Sequence, residues 1–351
     1  LDSAFDRELG LDSLARVELL ARLEQHFDIT LPESTFASAE SARDLLRAMH
    51  NIAGHERKFP AAPAAPIEQG ETDSIPSSAL TLVEVLQWHV ENHPERTHIH
   101  LLTEEEKHPA LTSRQLWEGA KEIAAGLQHL GIQPGDAVAI MLPTGSEYFF
   151  SFFAILLAGA IPVPIYPPLR RSQLEEHLRR HRGILSNCNA RVLITISRAK
   201  VFAQLLKSQV PSLLHVATKD DLTSLAGSYQ LPNIEPEDIA FLQYTSGSTG
   251  NPKGVILTHS NLLANIRAMG EAVSANARDV FVSWLPLYHD MGLIGAWLAS
   301  MYFSATLVSM SPLSFLTRPQ RWLEAIHQYG GTLSASPNFG YELCMKRISE
   351  Q

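Results

Sequence analysis

From about Leu80 onward the chain alternates between short apolar runs and segments with helical periodicity, and this alternation limits the fold more than any other feature. The apolar runs Ala137–Leu142, Arg191–Ile196 and Ile239–Tyr244 have the length and composition of buried strands. Parallel strands need long crossover connections, which helices usually supply. The pattern therefore predicts an α/β protein with largely parallel sheets covered by helices.

The stretch from Tyr148 to Tyr166 is nearly all apolar and approaches the roughly 20 residues that a membrane-spanning helix needs. Gly159, Pro162 and Pro164 interrupt it, and proline cannot continue a helix. We therefore predict a buried helix of about three turns followed by a buried strand, and no transmembrane segment.

Composition narrows the class of protein. The 351 residues are 45% hydrophobic and carry a net charge of −9, which argues against a nucleic-acid binder because such proteins usually carry a basic surface. The two cysteines, Cys188 and Cys344, lie far apart and show no ligand spacing, so we expect neither a disulfide framework nor a zinc site. The first residues do not resemble a signal peptide. These observations favour a cytoplasmic location.

Residues 1–50 form a part of their own, predicted to be helical throughout. They hold ten acidic side chains against five arginines, and so contribute −5 to the net charge. Pro32 opens a second short helical segment and Ser41 is placed to cap a third. The first helix is predicted from apolar side chains that recur every three or four positions: Leu14, Val17, Leu20, Leu23 and Phe27.

Residues 51–79 differ from the segments on either side. They are rich in proline and alanine from Pro60 to Pro66, and such segments stay extended because they bury too little apolar surface to offset their ordering entropy. We interpret them as a linker between residues 1–50 and the α/β part, residues 80–351. The arginine-rich stretch from Arg170 to Arg182 in the latter is interpreted as a solvated helix face, with a docking surface for an acidic partner as the alternative.

The strongest chemical signal is the run Tyr244-Thr-Ser-Gly-Ser-Thr-Gly-Asn-Pro-Lys-Gly254, which lies between two predicted strands. Small residues let the backbone approach an anion, hydroxyls add donors, and a lysine suits a phosphate. The run matches neither the P-loop nor the dinucleotide fingerprint. A flexible Gly/Ser turn in a hairpin is the alternative. We predict a phosphate-binding loop made of Thr245, Ser246, Gly247, Ser248, Thr249, Gly250 and Lys253.

This run resembles the signature loop of the adenylate-forming superfamily, which includes acyl-CoA synthetases, peptide-synthetase adenylation domains and luciferases. Three further segments agree in order and spacing: Leu157–Pro168, Trp284–Gly295 and Ser334–Cys344. The last of them, Ser-Ala-Ser-Pro-Asn-Phe-Gly-Tyr-Glu-Leu-Cys, is similar to the pocket helix of the fatty acyl-AMP ligases. The resemblance covers roughly residues 80–351.

The resemblance implies roles for particular residues. The loop and Lys253 would hold the phosphates of ATP, with Mg²⁺ neutralising charge, and His289 would gate the acyl pocket. No metal site made of protein ligands is expected. For His289 an ordinary loop position is the alternative, and for Asn338 a helix cap. The acyl and adenylate pocket would be lined by Ser336, Pro337, Asn338 and Tyr341.

A second resemblance lies at the front of the chain. Leu9-Gly-Leu-Asp-Ser13-Leu precedes the acidic amphipathic helix, and this succession resembles an acyl carrier protein whose serine, here Ser13, bears 4′-phosphopantetheine. The alternative is that Asp12 and Ser13 only cap the helix. The first helix of that family would precede Leu1, so we expect a truncated carrier.

Together the resemblances imply that a fatty acid and ATP give acyl-AMP, whose acyl group passes to a phosphopantetheine carrier, its own or one in trans. Downstream polyketide, lipid-synthesis or acyltransferase modules would use the product. An acyl-CoA synthetase and an amino-acid adenylation domain, in which an Asp near Asp290 would hold the ammonium, are alternatives. A carrier and scaffold without turnover is a candidate from another class.

In the adenylate-forming superfamily, the catalytic lysine, a Mg²⁺-binding Glu and the insertion that separates acyl-AMP from CoA ligases all follow the pocket helix. They are not found before Gln351. We therefore expect these 351 residues to be inactive on their own.

Overall fold

The computed structural model describes residues 5, 19–20, 23–24, 26–27, 29, 31, 35, 39–52, 74–103, 108–167, 174–245 and 252–348. A short 3₁₀ helix, Ser197–Ala199, and a π-helix, Met291–Leu298, occur among them. The other elements, in chain order, are α1 (Ala42–Ile52), α2 (Leu82–Asn92), β1 (Thr97–Leu102), β2 (Ala110–Thr112), α3 (Ser113–His129), β3 (Ala137–Met141), α4 (Ser146–Leu157), β4 (Ile161–Pro164), α5 (Leu174–Asn187), β5 (Val192–Thr195), α6 (Lys200–Lys207), β6 (His215–Ala217), α7 (Lys219–Ser224), β7 (Ile239–Thr245), β8 (Lys253–Thr258), α8 (His259–Val273), β9 (Val280–Ser283), α9 (Ala299–Tyr302), β10 (Thr306–Met310), α10 (Pro312–Thr317), α11 (Gln320–Tyr329) and α12 (Asn338–Arg347).

The strands form two four-stranded sheets and a hairpin. One sheet has the order β2-β1-β10-β9 and the other β4-β3-β5-β6. All neighbours in these sheets are parallel except β2 and β1. The prediction of an α/β fold with largely parallel sheets is confirmed. The departure is β7, which pairs antiparallel with β8, so that Thr245 and Lys253 of the predicted phosphate loop are cross-strand partners.

Helix α4 is apolar around most of its circumference and is buried, as expected for a helix that packs on several sides. Its rings enclose Trp297 of the π-helix, with centroids 4.6 Å apart for Phe149 and 5.6 Å for Phe153. The chain turns at Gly159, where φ is +70°, and enters β4. The prediction of a buried helix followed by a buried strand is confirmed. Within the described ranges, no helix is both long enough and apolar enough to cross a membrane.

The described residues before Ile52 are partly helical and partly non-helical. Helix α1 begins after Ser41, whose hydroxyl oxygen accepts a hydrogen bond from the amide of Asp44 at 3.3 Å, so the predicted cap is confirmed. The same hydroxyl donates to the Asp44 carboxylate at 2.8 Å, and this bond lowers the pKa of Asp44. Ile29 and Leu31 are not helical, and they lie between the first predicted helix, whose apolar stripe ends at Phe27, and the segment that Pro32 opens. Ser13 lies outside the described residues.

The end of the predicted linker contacts the α/β part. The carbonyl oxygen of Ser74 accepts a hydrogen bond from the Ser304 hydroxyl at 3.1 Å, and that of Ala79 accepts one from the Arg267 guanidinium at 2.7 Å. Helix α1 continues to Ile52, and residues 53–73 lie outside the described residues. The boundaries at 50 and 80 stay a prediction.

Candidate functional site

The hairpin β7–β8 brings the two ends of the predicted phosphate loop together. Thr245 is the last residue of β7 and Lys253 the first of β8, and the two are cross-strand partners with exposed side chains. Successive small residues between such strand ends can turn their amides toward an anion. Ser246, Gly247, Ser248, Thr249 and Gly250 lie outside the described residues.

Tyr244 explains the glycine that ends the signature. Gly254 is its cross-strand partner, and a Cβ at Gly254 would lie 2.9 Å from Cζ of the tyrosine ring. The Tyr244 hydroxyl donates a hydrogen bond to Oδ1 of Asn187 on α5. Burial raises the pKa of this hydroxyl, so it remains a donor at neutral pH. The Tyr244 side chain therefore holds the end of strand β7 against both β8 and α5.

The segment that carries His289 is fixed from two sides. Its Leu287 carbonyl oxygen accepts a hydrogen bond from the buried Tyr148 hydroxyl at 2.6 Å, and its Tyr288 carbonyl oxygen accepts one from Gln243 Nε2 at 2.8 Å. These bonds tie the segment to α4 and to β7. His289 can therefore present its exposed ring from a rigid backbone.

Asp290 organises the start of the π-helix. Its Oδ1 accepts from the Met291 amide at 2.8 Å and lies 2.7 Å from His289 Nδ1. Gly292 packs against the preceding turn, where a Cβ would come within 2.3 Å of the Pro286 carbonyl oxygen. In the motif His-Asp-Met-Gly, His289 therefore supplies an exposed ring, Asp290 caps the π-helix and contacts that ring, and Gly292 allows a close backbone contact. π-helical turns are rare and occur often at functional sites.

A cleft of about 410 Å³ lies between these elements. Thr245 and His289 both line it, although no sequence pattern joins them. Sequence reasoning missed other residues in its lining, among them Tyr166, Arg180 and Gln243. Tyr166 lies inside the recognised segment Leu157–Pro168, so the resemblance of that segment to the superfamily was the signal that could have indicated Tyr166.

Helix α5 contributes a positively charged side chain, Arg180, to the lining of the cleft. Arg180 is half-buried, with its guanidinium 5.6 Å from the ring centroid of Tyr166, so the interpretation of this stretch as a solvated face is wrong for Arg180. It holds for Arg179 and Arg182, which are exposed. His181 on the same helix is buried, and burial lowers its pKa to about 3. The imidazole is neutral at pH 7, so Arg180 supplies the positive charge beside Tyr166, and Glu176 of the same helix adds a negative charge near that ring.

The predicted acyl-pocket residues lie outside the lining of this cleft, in or just before helix α12, which packs against Trp284 through Phe339. The Trp284 ring stacks on Phe315 at 3.9 Å and meets Phe339 edge-on at 5.7 Å. Ser336 and Pro337 precede α12, Asn338 is its first residue, and Tyr341 is half exposed. Pro337 occupies the cap position, so the alternative of Asn338 as a helix cap is wrong.

Other chemistries receive no support from the described ranges. They contain no group of three or more His, Cys, Asp or Glu side chains arranged to hold a metal ion. Both cysteines are free. Burial raises the pKa of Cys188 to about 11, so its thiol is a poor nucleophile at neutral pH.

Comparison with known families decides the class. A family model described as AMP-binding enzyme matches residues 86–351. The chain belongs to this family of AMP-binding enzymes. A second model, the phosphopantetheine attachment site, matches residues 1–49 of this AMP-binding enzyme, and so covers the part that resembles a carrier.

Relatives of this AMP-binding enzyme agree with the resemblance to fatty acyl-AMP ligases. A medium-chain-fatty-acid–[acyl-carrier-protein] ligase from Moorena producens is 33% identical over 77% of this chain and 46% of its own length. A long-chain-fatty-acid–AMP ligase from Mycolicibacterium smegmatis is 38% identical over 66% of this chain and 37% of its own. A crystal structure of a fatty acyl-adenylate ligase from L. pneumophila, in complex with acyl adenylate and pyrophosphate, matches with a TM-score of 0.69 and 36% identity, over 79% of this chain and 48% of that one. The chain spans less than half the length of each of these relatives.

Proposed function

We propose that this AMP-binding enzyme takes part in the ATP-dependent activation of a fatty acid to acyl-AMP and in transfer of the acyl group to a phosphopantetheine thiol. The observation that carries the proposal is that Thr245, at the root of the signature loop, and His289 line one cleft. The names of the relatives point to the same substrate class, a fatty acid.

The proposed reaction has two steps. A carboxylate oxygen of the fatty acid attacks the α-phosphorus of ATP, the bond from that phosphorus to the bridging oxygen breaks, and pyrophosphate leaves. A phosphopantetheine thiolate then attacks the acyl carbon, AMP leaves with the electron pair of the broken C–O bond, and the thiol proton passes to solvent. Two anions must meet in the first step, so the site needs preorganised donors and positive charge more than a general base.

The residues proposed for this task fit a triphosphate. The loop from Thr245 to Gly250 supplies amides and hydroxyls, and Lys253 supplies a charge opposite Thr245. Mg²⁺ would neutralise further charge on the phosphates, as is usual for this ion, which is commonly held by substrate phosphates and few carboxylates. His289 is proposed as the gate of the acyl channel. Ser336, Pro337, Asn338 and Tyr341 are proposed to line that channel.

The proposed acceptor is the arm on Ser13, in the N-terminal part that matches the phosphopantetheine attachment model. A tethered acceptor works at high effective concentration, in the millimolar range for short flexible linkers, roughly. A carrier in trans and downstream lipid or polyketide modules are further proposed partners. The two free cysteines suit the reducing cytoplasm, where we propose that the protein acts.

A second candidate, transfer to coenzyme A, rests on a relative from Caulobacter vibrioides described as a putative acyl-CoA synthetase, 34% identical over 69% of this chain. The amino-acid alternative is weaker. It needs Asp290 for a substrate ammonium, whereas Oδ1 of Asp290 already caps the π-helix and contacts His289.

The test is ATP–pyrophosphate exchange with a panel of carboxylates, run on this 351-residue chain and on the protein extended to the length of its relatives. We expect exchange driven by medium or long fatty acids in the extended protein and little in the 351 residues alone. Exchange driven by amino acids would overturn the fatty-acid assignment, and no exchange with any carboxylate would favour a carrier and scaffold. Adding coenzyme A or a pantetheinylated carrier to the preformed acyl-AMP then identifies the acceptor.

A further inference from the structure

The N-terminal part is joined to the α/β part by a largely buried ion pair. Arg318, which follows α10, donates from one guanidinium nitrogen, Nη2, to Glu24 Oε1 at 3.0 Å and to the Leu31 carbonyl oxygen at 3.2 Å. Glu24 Oε1 also accepts the Leu31 amide at 2.6 Å. The side chains of Arg318 and Glu24 are 13% and 15% exposed. Arg318 therefore bonds both the side chain and the backbone of the N-terminal part.

Apolar packing continues this contact. Leu313 of α10 packs against a separate cluster of apolar side chains that belongs to the N-terminal part. The buried members of that cluster are Phe5, Leu20, Leu31, Ala39 and Leu45. Leu31 is fully buried, so the residue that Arg318 bonds through its carbonyl also fills the core of the N-terminal part.

The charges on the two sides are complementary. Residues 1–50 have a net charge of −5, and Arg318 brings a cation that donates to Glu24 and to the Leu31 carbonyl oxygen, while Glu24 also accepts the Leu31 amide. Removing one member of a buried, hydrogen-bonded pair leaves the other charge buried without compensation, which is strongly destabilising. The contact therefore requires both partners.

The contact also lies one layer from the proposed acyl pocket. Phe315, on the same short helix as Leu313, stacks on Trp284. Trp284 opens the recognised segment Trp284–Gly295, which contains His289, and packs against Phe339 of α12. The N-terminal part, which contacts α10, therefore lies beside the residues proposed to bind the acyl chain.

We propose that Leu313 and Arg318 form a docking surface for the chain's own N-terminal carrier unit, and that this docking favours transfer in cis over transfer to a carrier in trans. The cis preference rests on the proposed function, whereas the docking itself does not. The specific clamp is the pair Glu24 and Arg318.

Docking is tested by a distance measurement on the full chain. Spin labels are placed on F27C and L323C, both exposed in the parent chain, after replacement of the native cysteines by C188A and C344A. We expect one narrow distance distribution in the parent and broad distributions in R318E and E24R. L313D should also broaden the distribution. R114E, which reverses the charge in the exposed pair Arg114–Glu95, is the matched control and should stay narrow.

A distribution that stays narrow in both R318E and L313D, or one that is already broad in the parent, would overturn the docking proposal. The cis preference is tested by competition between self-acylation and acylation of a separately supplied carrier. R318E should lower the cis-to-trans ratio about tenfold, equivalent to about 1.4 kcal/mol, with ATP–pyrophosphate exchange unchanged and with R114E like the parent. An unchanged ratio would overturn the cis preference. The competition is run on the protein extended to the length of its relatives, and absence of exchange in that extended parent would instead refute the proposed function and leave the distance result standing.

Discussion

Gln243 and Tyr288 are 45 residues apart in the chain, and the side-chain amide of the first donates a 2.8 Å hydrogen bond to the carbonyl oxygen of the second. This bond joins the strand that feeds the signature loop to the segment that carries His289. The two halves of the proposed reaction, phosphate binding and acyl binding, are thereby held in one geometry. Small displacements of such groups slow a reaction strongly, because holding the reacting atoms close together supplies much of an enzyme's rate acceleration.

Replacing Gln243 with Ala should uncouple the two halves. The Tyr288 carbonyl would lose its partner, at a cost of about 1–3 kcal/mol for an unsatisfied buried group. We expect kcat/KM for fatty-acid-dependent exchange to fall by more than the small loss of stability explains. Q128A is the matched control, because Gln128 makes the same kind of bond, to the Gln230 carbonyl at 2.6 Å, on an exposed surface. Equal kinetic losses in Q243A and Q128A would contradict the coupling.

Gly254→Ala should disturb the hairpin at the signature loop. The new methyl group would lie 2.9 Å from Tyr244 Cζ, so the ring must move away from Asn187 or β8 must shift. Overpacking of this kind costs about 1–3 kcal/mol, and we expect the KM for ATP to rise. G183A is the control, because the methyl group at Gly183 meets nothing within 4 Å and alanine favours the helix it lies in. Wild-type affinity for ATP in G254A would refute the role given to Tyr244.

Local patterns predicted some of this architecture and missed other parts for a physical reason. Helix α4 and strand β4 follow from an apolar run broken by Gly159 and two prolines, a signal contained in the sequence itself. The half-buried position of Arg180 depends on Tyr166, which lies outside helix α5, whereas the pairing of β7 with β8 is the hairpin that the Gly/Ser run had left open as an alternative. Long-range contacts of this kind leave no periodicity behind. Only a recognised motif could have indicated them.

Gly340→Ala should act on the proposed acyl pocket. A methyl group there would come within 2.1 Å of Ser336 Oγ and 2.8 Å of Trp284 Cζ2, so α12 must move relative to the Trp284 ring. We expect the KM for long fatty acids to rise several-fold while the KM for ATP changes little. The double variant G340A/S336A removes only the contact with the serine and should recover part of the loss. G295A, where a methyl group meets nothing within 4 Å, is the control.

Acid should destabilise the protein through buried histidines. His259 Nδ1 accepts a hydrogen bond from the Leu82 amide at 3.1 Å, and burial lowers the pKa of His259 from 6.5 to about 4. The unfolded chain therefore binds more protons between these values, so this contribution is complete above pH 6.5 and is lost as the pH falls toward 4. At pH 5 the loss is about 2 kcal/mol for this residue. His89, with a pKa of about 4, acts in the same direction.

Urea unfolding between pH 7.5 and pH 5 measures this dependence. H259Q keeps an acceptor for Leu82 and removes the titration, so we expect a shallower dependence of the free energy of unfolding on pH. H327Q, at an exposed position of α11, is the control and should retain the dependence of the parent. An unchanged pH dependence in H259Q would show that His259 does not contribute to the loss of stability in acid.

Ser13→Ala should separate the two steps of the proposed reaction. Adenylation does not involve the arm, so ATP–pyrophosphate exchange should be unchanged in the extended protein, whereas self-acylation should disappear because no other group on the chain is proposed to bear phosphopantetheine. S3A is the matched control: Leu1-Asp2-Ser3 repeats the Leu-Asp-Ser that ends at Ser13, but Ser3 is followed by Ala4 whereas Ser13 is followed by Leu14. Intact-protein mass spectrometry after incubation with a phosphopantetheinyl transferase and coenzyme A reads the modification directly. Loss of the added mass in S13A and its retention in S3A are expected, and self-acylation that survives in S13A would remove the carrier assignment.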